Sequence, residues 1–511
     1  MTNSQLRSRI TLLCIFIILF LPTLNHPVFG QFKSTTEVSI GPNIDSKYGY
    51  SGRSFLVEGK LVSIKTWNKQ IIVEITDAKT LQNEISKVHE IPFLFHLQDL
   101  ILRNNRLFIM YSPMLTESGT HKSLLYSREI SCTSGEWIGD DRPFLKSSSK
   151  ARQANDASLE VESRFQTVYS PDSSKTLVYY TLVNNMRGSE DHLAGMAVID
   201  DDNQLEWQSE IELPFPNRDY SIFSRCIDNS GNIYLFGRLA IPVTSETPRH
   251  TTLTMLKLSN KGKITGPVIL KFPFATFSRQ ITLTSNNDGS STISALGFDK
   301  ENRPHLVLFN YKGDDLLEPM ATYSINDEIV QTQKSGNLGD ALYGENDPDK
   351  ELKNKAHFIK KVTTLPNKQK LYEIEDRFIV YQDDMKDITS YGYTLMLLDT
   401  NDQVKWVRNF PKFQNSGYFL PLSTYLKVGE SRVHLIFFEN SENLKKQSRD
   451  KPKEYKFQAG AMAAYGFGTS GAALMDYSVE LETGAIARNK LFVVAELPLS
   501  KRHYIWPKYI H

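Results

Sequence analysis

From about residue 55 onward, short apolar runs rich in Val, Ile, Leu, Tyr and Phe alternate with polar turns. Runs of this length, bounded by turn residues, predict strands rather than helices. Seven places share one pattern of apolar strand, short polar turn and second strand, beginning at Ile71, Ser123, Gly195, Thr252, His305, Tyr393 and Asp476. Each turn holds Gly, Asn or Asp, the residues that accept tight-turn dihedrals. Two copies match closely: IDDDNQLEW ends at Trp207 and LDTNDQVKW at Trp406, with the same spacing from apolar residue to Trp.

A second strand pair precedes each hairpin. The segments are 55–67, 100–112, 168–182, 225–239, 283–298, 371–382 and 425–438. The repeating unit is therefore four strands, an inner pair and then an outer pair. Four-stranded units in series predict an all-β fold, a β-propeller with seven four-stranded blades. A lone four-stranded sheet cannot bury both faces, whereas blades stacked around an axis bury the faces between neighbours. Two stacked β-sandwiches are the alternative, and they do not account for seven copies of one pattern without a linker.

The N-terminus departs from this pattern. Arg7 and Arg9 precede the apolar run ITLLCIFIILFLPTL, and Val28 and Gly30 are small enough for a signal-peptidase site. Residues 1–30 thus read as a signal peptide cleaved after Gly30, leaving 31–511 as a single β-propeller domain. A membrane anchor is the rival reading, but Pro22 interrupts the run, which falls short of the roughly 20 residues a span needs. No later segment is apolar enough to span, so no transmembrane segment is expected in the mature chain. The expected location is secreted or periplasmic.

Charge removes one class of partner. Cleavage removes two arginines and no acids, leaving 57 basic against 58 acidic residues. Nucleic-acid binding needs a basic excess, so no nucleic acid is expected. Two cysteines survive cleavage, Cys132 and Cys226, on repeats two apart. They read as separate thiols, although an oxidising compartment would allow pairing. No Asn-x-Ser/Thr sequon occurs in the chain, which favours a bacterial envelope or secreted protein.

Long insertions break the repeat at 146–163, 326–368 and 441–474, the last joining a charged run to a Gly/Ala-rich one. Long loops on a rigid fold are candidates for a binding rim. Within them, Gly466–Gly471 spells GxGxxG, but its flanks are a charged loop and a hairpin rather than the strand and helix of a dinucleotide site. Acidic residues at Asp200–Asp202, at Asp383, Asp384 and Asp387, and at Glu345, Asp347, Asp349 and Glu351 offer oxygen ligands, without the spacing of a calcium loop. The histidines His96, His192, His305 and His434 are scattered and carry no zinc motif. No catalytic, cofactor-binding or metal-binding residue is assigned, and no cofactor is expected.

The segment Ser170-Pro171-Asp172-Ser173-Ser174-Lys175-Thr176-Leu177 is similar to the Ser-x-Asp-x-Gly-x-Thr-Trp box of sialidase-type propellers, with Ser174 for Gly and Leu177 for Trp. It resembles still more the Ser-Pro-Asp-Gly turn of TolB-like periplasmic propellers. The Trp207 and Trp406 hairpins, with Glu482-Thr483-Gly484, resemble the tryptophan-docking repeats of quinoprotein-type propellers. These likenesses cover turns and imply a secreted or periplasmic bacterial propeller; they imply no catalytic residue and no quinone site. The expected function is an exported, non-enzymatic scaffold that binds a protein or glycan partner. The alternative is a carbohydrate-active hydrolase or lyase with its site in the central channel.

Overall fold

The computed structural model describes residues 50–493, apart from 115–121, 152–163, 183–192, 242–249, 326–354, 416–423, 441–454, 457–471 and stretches of one or two residues. Every regular element among the described residues is a strand. The strands form seven antiparallel sheets in chain order, arranged in a ring as a seven-bladed β-propeller. Blade 1 is built from Tyr50–Val57, Lys60–Trp67, Gln70–Asp77 and Asn83–Glu90. The later blades repeat this meander, and the inner strands of blades 2 to 6 lie against one another in succession around the ring.

Six apolar clusters hold the ring together, each shared by two consecutive blades from the pair 1–2 to the pair 6–7. Alternation explains them. In blade 1, Val62, Ile64, Ile71, Val73 and Ile75 all point to blade 2 and are almost completely buried. Between blades 7 and 1 no such cluster occurs among the described residues. The face of blade 1 turned toward blade 7 instead carries a Ser54–Ser63 hydrogen bond of 2.8 Å and a buried Lys65–Glu74 ion pair of 2.7 Å.

Two expectations are corrected. The segment 371–382 is not a strand pair: Lys370–Gln382 is one continuous strand, the second of blade 6. Its partner is Lys355–Thr364, so the expected insertion 326–368 ends at the first strand of that blade. The acids that mimic a turn, Glu373 and Glu375, are buried within the strand. The second correction concerns 441–474, whose last three residues open the third strand of blade 7, Ala472–Glu480.

The short strand Leu316–Leu317 leaves blade 5 and pairs in parallel with Lys263–Leu270 of blade 4, covering that blade's edge. Cys132 and Cys226 are both free thiols. Burial pushes the Cys226 thiol up to about 12. The signal-peptide region, the GxGxxG segment and the chain end beyond Val493 lie outside the described residues.

Candidate functional site

A four-stranded meander sorts its connections by rim. The turns from first to second and from third to fourth strand lie at one end of the ring. The turns from second to third strand, and the crossings to the next blade, lie at the other. At the first end the connections are mostly tight turns, such as 58–59, 104–105, 228–232 and 399–403, and the longest is 312–320. At the second end lie 114–123, 182–192, 325–354, 411–423 and 441–471, together with 139–165. All three insertions seen in the sequence therefore leave and re-enter the fold on one rim.

Two clusters of described residues occupy that rim or lie just beneath it. The first is on blade 1. Trp67, Gln70 and Glu90 are cross-strand partners, so their side chains form a row on one face. The Gln70 amide donates to Glu90 at 2.5 Å. Trp67 is 41% exposed and Leu94 is 44% exposed. With Asn68 and Lys69 they line an open cavity of about 520 Å³.

The second cluster is buried, between blades 6 and 7. Glu373 and Glu375 lie two apart and share a face. Tyr393 donates its hydroxyl to Glu373. Lys412 Nζ lies 2.7 Å from Glu375, and both side chains are essentially inaccessible. Across the junction, Glu439 accepts from Arg488 at 2.6 Å and from the Tyr477 hydroxyl at 3.2 Å. Burial lifts the Glu373 carboxyl above its ordinary range, against the pull of the Tyr393 hydrogen bond and nearby lysines. A glycosidase needs two carboxylates flanking an accessible sugar. These carboxylates are buried and already engaged, so they act as joints of the fold.

Glu373 gives a pH prediction. Its folded carboxyl holds a proton more tightly than the unfolded one, so the native state binds more protons. Its contribution is complete below the unfolded value of about 4.3 and is lost as pH rises. Glu373→Gln keeps an acceptor for Tyr393 and removes the titration. The variant's melting temperature should gain on the wild type's as pH is raised from about 4 to about 8. A difference that stays constant across this range would show that the carboxyl is not protonated in the fold.

The residues singled out in the sequence are placed as follows. Ser170–Leu177 forms the first turn of blade 3, with Ser174 N and the Ser170 and Ser174 hydroxyls all donating to Asp172. Asp200–Asp202 lies on the tight-turn rim, where Asp200 accepts from Gln204 N at 2.7 Å. His305 stacks on Phe274 and contacts Asp299, and His434 contacts Asp476. His96 lies on the first strand of blade 2. His192, Asp383, Asp384 and the 345–351 acids are outside the described residues, as are the side-chain surroundings of Asp387. No three His, Cys, Asp or Glu side chains among the described residues converge as a metal site. Among those residues, no helix is long and apolar enough to cross a membrane. Trp67 went unmarked in the sequence, where a Trp beside a polar turn looks like any strand end.

The chain is similar in fold to several solved structures. One is the β-propeller domain of the Trilobed protease from Pyrococcus furiosus, at 9% identity and a TM-score of 0.31, over 73% of this chain and 100% of that one. Another is a protein of unknown function from Dyadobacter fermentans, at 12% and 0.32, over 67% and 90%. A third is a member of the duf4221 family from Bacteroides vulgatus, at 11% and 0.32, over 80% and 92%. No protein-family model matches the chain. No curated protein matches it either.

Proposed function

We propose that this chain is an exported, non-enzymatic binding scaffold whose contacts with a protein or glycan partner are made on the long-connection rim. One observation carries the reading: the insertions, scattered along the sequence, all join the ring at the same end. Rigid blades separate the task of folding from the task of contact, so rim segments vary without cost to the core. The opposite rim, reduced to tight turns, has little surface to offer. Export rests on the N-terminal signal and predicts a mature chain beginning at Gln31, which N-terminal sequencing of the envelope or secreted fraction checks.

The test of the rim is a swap. The mature protein is screened by thermal shift against oligosaccharides and envelope proteins. Each hit is then retested after 441–471 or 325–354 is replaced by a short Gly/Ser turn, and after the tight turns 228–232 and 399–403 are substituted. Affinity should fall at least about tenfold for a rim replacement and stay within about twofold for a tight-turn change. Loss confined to the tight-turn variants sinks the rim reading. Chemical conversion of a hit would instead make the protein an enzyme.

A further inference from the structure

We infer that Lys370 and Asn286 form an isopeptide bond, a side-chain amide that joins blade 6 to blade 5 on the tight-turn rim, with Asp402 carrying the proton.

Neighbouring turns assemble the site. Asn286 opens the 286–290 turn after the first strand of blade 5, Thr276–Ser285. Lys370 begins the second strand of blade 6. Asp402 lies in the 399–403 turn of that same blade. Asn286 and Lys370 stand 84 positions apart in the chain, and the stacking of the two blades brings them together. Lys370 Nζ lies 3.3 Å from Asn286 Oδ1, 3.0 Å from Thr292 Oγ1 and 2.9 Å from Asp402 Oδ1.

This set of partners differs from those of the other buried lysines among the described residues. Lys65 and Lys412 each face a glutamate carboxylate. Lys370 meets an amide, a hydroxyl and a carboxylate at once, which supplies a nucleophile, an electrophile and a base. The surroundings are dry: Lys370 is 7% exposed, and its cross-strand partner Leu398 is fully buried, as are Thr292 and Tyr372. The reacting groups are also held in place. The Thr292 hydroxyl donates to Asn286 Oδ1 at 3.2 Å, and Asn286 Nδ2 donates to Ser290 Oγ at 2.9 Å, so both ends of the amide are fixed. Asp402 N donates to Asp399 O at 3.1 Å, and Asp402 O accepts the Tyr323 hydroxyl at 2.7 Å. The lysine nitrogen thus waits one carbonyl bond from the carbon that it attacks, in an arrangement that has lost its freedom on folding.

The step conserves atoms and charge. Asp402 takes one proton from the ammonium and frees the nitrogen lone pair. That pair attacks Asn286 Cγ, the Nζ–Cγ bond forms, and negative charge moves onto Oδ1, toward the Thr292 hydroxyl. Asp402 passes its proton to Nδ2, the Cγ–Nδ2 bond breaks, and ammonia leaves. The new amide nitrogen sheds its extra proton to the ammonia, so an ammonium ion departs with the charge of the lysine. No outside reagent is consumed. The product ties the two blades and closes the chain between them, the 326–354 insertion included, into a covalent loop. Such a loop restricts the unfolded chain, so a long rim insertion is carried without loosening the blades on either side.

The experiment is a tryptic map of the mature protein by mass spectrometry. Peptides are read rather than the whole mass, because an N-terminal Gln31 can itself cyclise with loss of ammonia. The wild type should yield a branched species, 280–300 joined to 369–377 and uncut after Lys370, about 17 Da lighter than the two peptides together. Lys370→Arg should abolish it, and Asp402→Asn should leave most of the protein unlinked while the circular dichroism stays that of the folded chain. Separate 280–300 and cleavage after Lys370 in the folded wild type overturn the inference, and this result needs no variant to fold. A branch between 369–377 and 387–405, with loss of water, overturns it too, by placing the bond on Asp402. Linkage that persists unchanged in Asp402→Asn overturns the assigned step.

Discussion

Lys412→Met should cost about 3–5 kcal/mol of stability, the penalty for stranding one buried charge. Lys412 Nζ and the Glu375 carboxylate meet at 2.7 Å with 0% and 1% of their side chains exposed. Removing the ammonium leaves Glu375 in a dry interior beside Glu373, whose own proton affinity is already raised by burial and by the Glu375 charge. The anion must then take up a proton or drag in water. Glu375→Gln should destabilise from the other side, by removing the charge that the buried ammonium faces. The double variant Lys412→Met/Glu375→Leu separates pairing from packing. It should recover most of the loss, because an apolar replacement of both partners avoids the desolvation of either. Urea unfolding of the wild type, Lys412→Met, Glu375→Leu and the double variant measures the coupling. Single variants that each cost less than about 1 kcal/mol would mean that the pair is hydrated and behaves as a surface ion pair.

The same pair shows why one blade was misread in sequence. Turns elsewhere were legible because they carry residues suited to left-handed dihedrals, such as Gly59, Asn104, Asn105, Gly231 and Gly289. In blade 6 the signal inverts. KAHFIKKVTT looks like part of a polar insertion, and EIED looks like a turn. In the fold Lys360 extends over the Tyr393 ring, at 5.5 Å, while Glu373 and Glu375 find partners in Tyr393 and Lys412. Tyr393 lies on the next strand and Lys412 in the connection after the fourth, 37 positions from Glu375, and one-dimensional patterning registers a charge without its partner. The candidate site was illegible for a related reason. Alternation puts Trp67, Gln70 and Glu90 on one side of the sheet. Whether that side meets an apolar neighbour depends on where the ring begins and ends. Seven repeats of one pattern suggest seven like junctions, whereas among the described residues the apolar clusters lie at six of them and none lies between the first and last blades.

Trp406→Ala should cost a further large amount, about 3–5 kcal/mol, through lost contact between blades 6 and 7. The side chain is 5% exposed and donates its indole N–H to Leu481 O at 2.9 Å. Its ring lies against Gly484, where an added Cβ would stand 2.8 Å from Trp406 Cγ. Gly484 also holds a φ of 68°, so Gly484→Ala meets both backbone strain and the indole. Arg408 reinforces the same contact by donating to Gly484 O at 2.6 Å. The matching hairpin in blade 3 provides an internal control. Trp207 occupies the same position in its repeat but is only half-buried. Trp207→Ala should therefore cost less, about 1–2 kcal/mol, in proportion to the apolar surface that it buries. The sequence match between the hairpins makes the two tryptophans equivalent, and the packing makes them unequal. Urea midpoints of the two variants decide between these views. Equal losses would place the contribution in the hairpin itself. A loss concentrated at Trp406 would place it in the docking of one blade on the next.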